Sequence, residues 1–130
     1  MDKSRDWNAI AIKINQLTQK GKLHWTPEPT NVHHFADSDR RVEIYYLARY
    51  SDRRLRLYKE SYKDFDDEDR YTWGERVCLE FVDDDNRALW RFPRSRALWD
   101  LLETVQYQTA DVDTAIDELL SGEWESKESE

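Results

Sequence analysis

From Val42 to Phe92 apolar and polar residues alternate with a period of two, and few patterns restrict a fold more tightly. In extended chain, successive side chains point to opposite faces, so such a run must bury one side and present the other. Val42, Ile44, Tyr46, Ala48 and Tyr50 fall on one side, with Glu43, Tyr45, Leu47 and Arg49 on the other. Ser51, Asp52 and Arg53 suit a tight turn. Leu55 and Leu57 then alternate with Arg54, Arg56, Tyr58 and Glu60. After an acidic stretch, Trp73, Glu75, Val77, Leu79 and Phe81 alternate with Arg76, Cys78 and Glu80. Beyond "DDDN", Ala88, Trp90 and Phe92 alternate with Arg87 and Arg91. The pattern predicts four antiparallel strands in meander order. "KLHW", with Leu23 and Trp25 on one face, is expected as a fifth, stopped by Pro27 and Pro29 and followed by a loop to Asp39.

The flanks change period. Trp7, Ile10, Ile14 and Leu17 recur at helical spacing, with Asp6 placed to cap the start and Gly21 to end the helix in a left-handed conformation. Pro93 ends the strands, and Ser95 can cap the start of a second helix. Leu98, Leu101, Leu102 and Val105 form one helical stripe; Val112, Ile116, Leu119 and Leu120 form another, between a break near Thr109 and Gly122. One helix, an antiparallel sheet of about five strands and two C-terminal helices predict an α+β domain. With a single apolar stripe on each helix, the helices are expected to share one sheet face.

At 130 residues the chain fits one domain, assigned to residues 1–122, with 123–130 as an acidic flexible tail. A domain of this size buries enough surface to stand without disulfides or a structural metal. Apolar residues make up 38% and charged residues 37%, a balance that approaches disorder, but six Trp, seven Tyr and four Phe oppose that reading. The opening MDKSRDWN lacks a secretory pattern and no stretch is long and apolar enough to span a membrane, so a cytoplasmic location is expected. The net charge of −8 is uneven: Asp64 to Asp69 carries −5, while Arg40 to Lys59 carries seven basic and two acidic residues.

"DFDDEDRYTWGE", Asp64 to Glu75, places acids at the first, third, fifth and twelfth positions of a calcium-loop window. Such a loop needs Gly at its sixth position for the sharp turn, and that position is Asp69. A solvated hairpin turn is therefore expected, with weak divalent binding as the alternative. His24, His33 and His34 lack the spacing of a zinc site, adjacent imidazoles in "HH" diverge, and Cys78 stands alone. No metal or other cofactor is predicted. No Gly-x-Ser-x-Gly elbow or phosphate-cradling glycine loop is present, and Cys78 beside Val77 and Leu79 reads as a small, partly buried residue rather than a reactive thiol. An enzyme would have to rest on a carboxylate pair that the sequence does not locate.

The face away from the predicted helices gathers the candidate contact residues Tyr45, Arg49, Arg54, Arg56, Tyr58, Arg76 and Arg91. Arginine and tyrosine are enriched at protein interfaces, where planar donors stack beside rings that lose little entropy on ordering. The same pattern also fits an unpartnered sheet face on which Arg and Glu pair across strands and lie over Tyr rings. As a binding face it predicts a non-catalytic protein-binding or adaptor module, whose partner is an acidic protein segment or a second copy of the chain. Single-stranded nucleic acid, stacked on the same tyrosines, is the alternative; the overall negative charge disfavours it.

The opener "INQLTQKGKLHW", of the form LTxxGKLxW, and the closing "LWDLLETVQYQTADVDTAIDELL" resemble the two ends of small uncharacterised bacterial proteins built as helix, sheet, helix. That resemblance implies the fold and no activity. Small acidic secretion chaperones are similar in size and charge, but a helix interrupts their strands.

Overall fold

The computed structural model of the chain describes residues 5–29 and 39–122. Helix α1 (Trp7–Gln19) is followed by strands β1 (Trp25–Pro29), β2 (Arg40–Tyr50), β3 (Arg53–Phe65), β4 (Tyr71–Val82) and β5 (Ala88–Arg91), then by helices α2 (Arg96–Thr109) and α3 (Val112–Ser121). The strands form one antiparallel sheet in the order β1-β2-β3-β4-β5, the expected meander. His33, His34 and the tail 123–130 lie outside the described residues. Among those described, no helix is long and apolar enough to cross a membrane.

The predicted caps close the helices. Asp6 accepts a hydrogen bond from the Ala9 amide, and Ser95 from the Ala97 amide. Gly21 adopts φ +73°; its N–H donates to Thr18 O while Lys22 N–H donates to Leu17 O, which satisfies carbonyls left open at the end of α1. Asp111, at φ +52°, breaks the chain between α2 and α3, and Gly122 at φ +78° ends α3.

One face of the sheet meets the helices. Tyr46, Ala48, Leu55, Leu57, Val77 and Leu79 pack with Leu98, Leu101, Leu102 and Val105 of α2, and Ala11, Leu23, Trp25 and Phe92 complete the core. Leu57 and Leu79 are fully enclosed, and burying a side chain of that size stabilises the fold by roughly 1.5–3 kcal/mol. α1 lies against α2 and reaches β5 through Trp7, whose ring sits 4.7 Å from that of Trp90. α3 rests on α2 and buries none of its residues.

Three expectations are corrected. β1 begins only at Trp25 of the "KLHW" run, and Pro27 does not stop it: Pro27 lies within the strand, paired with Tyr46, and Pro29, its last residue, is paired with Ile44. The reason is strand polarity. The Trp25 amide donates to Gln108 Oε1 rather than to β2, so residues 25, 27 and 29 turn their nitrogens away from the neighbouring strand, where a missing N–H breaks no ladder bond. Val42 does not face the helices. An extra residue in β2 between the pairs Val42↔Glu60 and Tyr45↔Tyr58 shifts the alternation and puts Val42 beside Tyr45, Tyr58 and Cys78 on the far face. A similar shift between Phe81 and Val82 pairs Ala88 with Val82 and turns it from the side occupied by Trp90.

Gln108 ties α2 to the start of the sheet. Its side-chain oxygen accepts from the Trp25 amide, and its nitrogen donates to Leu23 O at 3.1 Å and Thr18 O at 3.3 Å. Gln108→Ala leaves three partly buried backbone groups without this partner, and should lower stability by about 1–3 kcal/mol, read as a fall in the urea midpoint at unchanged slope.

Candidate functional site

The far face of the sheet carries the predicted Arg and Tyr residues, in a state the sequence did not anticipate. Tyr45, Arg56 and Tyr58 are buried, and the face is organised around two enclosed carboxylates, Glu60 at 0% and Glu80 at 2% exposure. Strand register brings the charges together: Arg56 stands opposite Glu80, Glu80 opposite Arg91, and Glu60 opposite Arg76.

Arg56 donates from Nε (3.0 Å) and Nη2 (2.7 Å) to Glu80 Oε1, and from Nη1 to Asn86 O. Arg91 donates to Glu80 Oε2 at 3.1–3.2 Å and to the Tyr58 hydroxyl at 3.0 Å. Each oxygen of Glu80 therefore has its own guanidinium. Arg76 donates to Glu60 Oε1, and Arg40 Nη1 lies 4.0 Å from Glu60 Oε2. Among the described residues the cover over the rings is made of guanidinium groups: Arg56 over Tyr45 (4.9 Å) and Tyr58 (5.7 Å), and Arg76 over Tyr62 (4.9 Å). The cross-strand pairing weighed as the plain reading of this face is present, in a buried layer.

Gly74 shows how tightly the layer is packed. A Cβ there would lie 2.6 Å from the Tyr62 ring, which crosses from β3 over the glycine. Burial pushes the Tyr45 phenol up to about 12, raises Tyr58 further, and raises the Cys78 thiol, so neutral pH keeps all three protonated. Arg54, half-buried, donates to Asp83 O and Asp84 O and braces the β4–β5 turn. Arg49 stands apart, exposed, opposite Arg54 in the register.

The acidic segment is a hairpin turn between β3 and β4. The Asp67 carboxylate accepts from the Asp69 and Arg70 amides and folds the turn on itself. Among the described residues no three potential ligands converge on a metal position.

A second surface was not among the sequence expectations. β5 pairs with β4 only at Glu80 to Val82, extended by the Phe92 amide donating to Leu79 O. From Tyr71 to Cys78 the outer edge of β4 has no strand beside it among the described residues. Because the Leu79 carbonyl points outward and the β3–β4 register runs without a slip, the backbone groups of Tyr71, Trp73, Glu75 and Val77 also point outward. Between this edge and the start of α2 lies a groove of about 770 Å³, whose charged and aromatic lining is Glu75, Arg76, Arg94, Arg96, Trp99 and Asp100. Arg94, Arg96 and Trp99 are exposed, and neither the Arg94 nor the Arg96 guanidinium has a hydrogen bond or ion pair to another described residue. The one advance sign was the length of the last strand run, far shorter than the one before it.

The chain matches no protein-family model, no curated protein and no solved structure.

Glu80→Ala leaves the Arg56 guanidinium buried without its carboxylate and should destabilise by about 3–5 kcal/mol, whereas Arg56→Met/Glu80→Leu should recover most of the loss; denaturant unfolding of the two variants checks this. The buried tyrosine gives an alkaline limb. For Tyr45 the unfolded phenol ionises near its ordinary value of 10.0 and the folded one near 12, so above pH 10 the unfolded chain binds fewer protons and this contribution is lost as pH rises to about 12; Tyr58, raised further, adds to the same decline. Thermal melts between pH 8 and 12 should show this decline, and Tyr45→Phe should make it shallower, leaving the part contributed by Tyr58 and Cys78.

Proposed function

We propose that this protein is a non-catalytic module that binds other polypeptides, and that it does so by accepting an extended strand along the open edge of β4. The observation that carries this reading is the coincidence of outward-facing backbone groups at Tyr71, Trp73, Glu75 and Val77 with the adjoining arginine groove. Added strands gain affinity from main-chain hydrogen bonds and specificity from the side chains beside them. Here those side chains are Arg94, Arg96 and Trp99, residue types that dominate binding energy at interfaces.

The Arg/Tyr face supports the module in a different way from that expected. Its arginines Arg56, Arg76 and Arg91 are held by Glu60 and Glu80, and it stiffens the sheet whose edge is used. Tyr45 and Tyr58, buried beneath Arg56, present no free ring face for a base to stack on, which favours a protein partner over single-stranded nucleic acid. The carboxylates Glu60 and Glu80 are each engaged by arginine, which favours a structural over an acid–base role. A cytoplasmic setting suits Cys78, a buried free thiol.

The partner segment should be extended and acidic, to complement Arg94 and Arg96. A synthetic peptide alternating Val or Thr with Glu, titrated into the isotope-labelled protein, should shift the Trp73, Glu75 and Val77 amides and the Trp99 indole. Glu75→Pro removes an outward N–H while sparing the bonds to β3, and should abolish those shifts. Shifts confined to Arg49, Tyr50 and Arg53 at the opposite end of the sheet would refute the assignment.

A further inference from the structure

We infer that the strand β4 accepts is β4 of a second copy of this chain, paired antiparallel about a twofold axis so that the acidic turn of each copy enters the arginine groove of the other. The inference rests on strand addition at β4 and goes further by naming the occupant.

Direction and charge select this partner. β4 leaves the turn at residues 66–70, which carries Asp66, Asp67, Glu68 and Asp69, and runs toward the groove, where Arg94 and Arg96 stand at the start of α2. One end of the open edge thus carries four carboxylates beside Arg70, and the other carries Arg94 and Arg96 beside Asp100, with Arg76 and Glu75 held by Glu60 and Lys59, so the two ends are of opposite net charge. A twofold axis pairs a surface with itself, and for a strand edge that means antiparallel. Reversing β4 against itself sets acidic end on basic end, twice per dimer; a parallel arrangement would set acid on acid.

The length of the edge agrees. The free stretch runs from Tyr71 to Cys78, bounded at one end by the hairpin turn and at the other by β5, and a second β4 offers a stretch of the same length bounded in the same way. Such edges invite pairing, and natural sheets commonly block them with proline or lysine. Tyr71 to Cys78 contains neither. Phe65, Tyr71 and Trp73 add a half-exposed aromatic cluster at the tip, with Lys63 4.4 Å from the Tyr71 ring centre.

Sedimentation across micromolar to millimolar concentrations, with amide exchange on the same samples, tests the inference. The wild type should form dimers in which the Trp73, Glu75 and Val77 amides are protected and become exchangeable on dilution. Arg94→Glu/Arg96→Glu and, separately, Asp66→Lys/Glu68→Lys should each weaken self-association at least roughly tenfold. All four side chains are exposed and outside the ion-pair layer, so both variants should fold. An equimolar mixture of the two restores opposite charges at both contacts and should dimerise again. A wild type that stays monomeric with those three amides freely exchanging overturns the inference, as does a dimer that neither variant weakens. In the monomeric case the acidic peptide separates the two readings: shifts at the β4 edge leave strand addition standing with another protein as partner, and no shifts remove both.

Discussion

Twelve residue pairs between β3 and β4, from Arg54↔Val82 to Phe65↔Tyr71, run without a register slip, and the arrangement of the whole molecule follows from that ladder. Side chains one residue apart cannot share a face of a strand. Once Leu55, Leu57, Val77 and Leu79 are committed to the helices, Arg56, Tyr58, Glu60, Cys78 and Glu80 are committed to the other side. A shift of β3 by one residue would put Glu60 beneath α2 and carry Leu55 and Leu57 to the charged face, so hydrophobic burial on one face specifies the charge pairing on the other.

The second face resolves its burial by pairing. A carboxylate removed from water is tolerable only when opposite charges and hydrogen-bond donors replace the lost solvent. Register supplies both to Glu80, flanked by Arg56 and Arg91 on neighbouring strands, while Glu60 takes its donors from Arg76 on Oε1 and its buried Oε2 has only the Arg40 charge 4.0 Å away and no hydrogen-bond partner among the described residues. Such a layer adds little net energy compared with an apolar one, but it penalises every misregistered sheet, because a slip would strand a buried charge. The planar guanidiniums also cover the tyrosines, so three residue types form a layer one side chain thick.

Much of this was legible beforehand, element by element. Period-two alternation located β2 to β5, helical spacing located α1 to α3, and Asp6, Gly21, Ser95 and Gly122 marked the ends they occupy. Misreadings arose where a local rule met a tertiary circumstance. Proline breaks a strand only if its nitrogen faces a neighbour, and the Trp25 amide bond to Gln108 shows that in β1 it does not. Val42 changed face through one extra residue in β2, invisible to a count of alternating positions. For the contact surface, the seven predicted side chains all lie on or beside the far face, yet Tyr45, Arg56 and Tyr58 are buried there, while Arg94, Arg96 and Trp99 came from a helix start read only for its cap.

The amino-acid sequence by itself determined which segments are helices and strands, their meander order and the face of each side chain away from the two bulges that turn Val42 and Ala88 over, because these follow from local periodicity and from turns a few residues long. Only the tertiary structure decided that the arginine face is closed by its own ion pairs and that β4 keeps an open edge. Both depend on how far one strand extends past another, and on the side chains that register sets opposite each other across separate segments of the chain. Those are relations between segments distant in sequence, which no local pattern encodes.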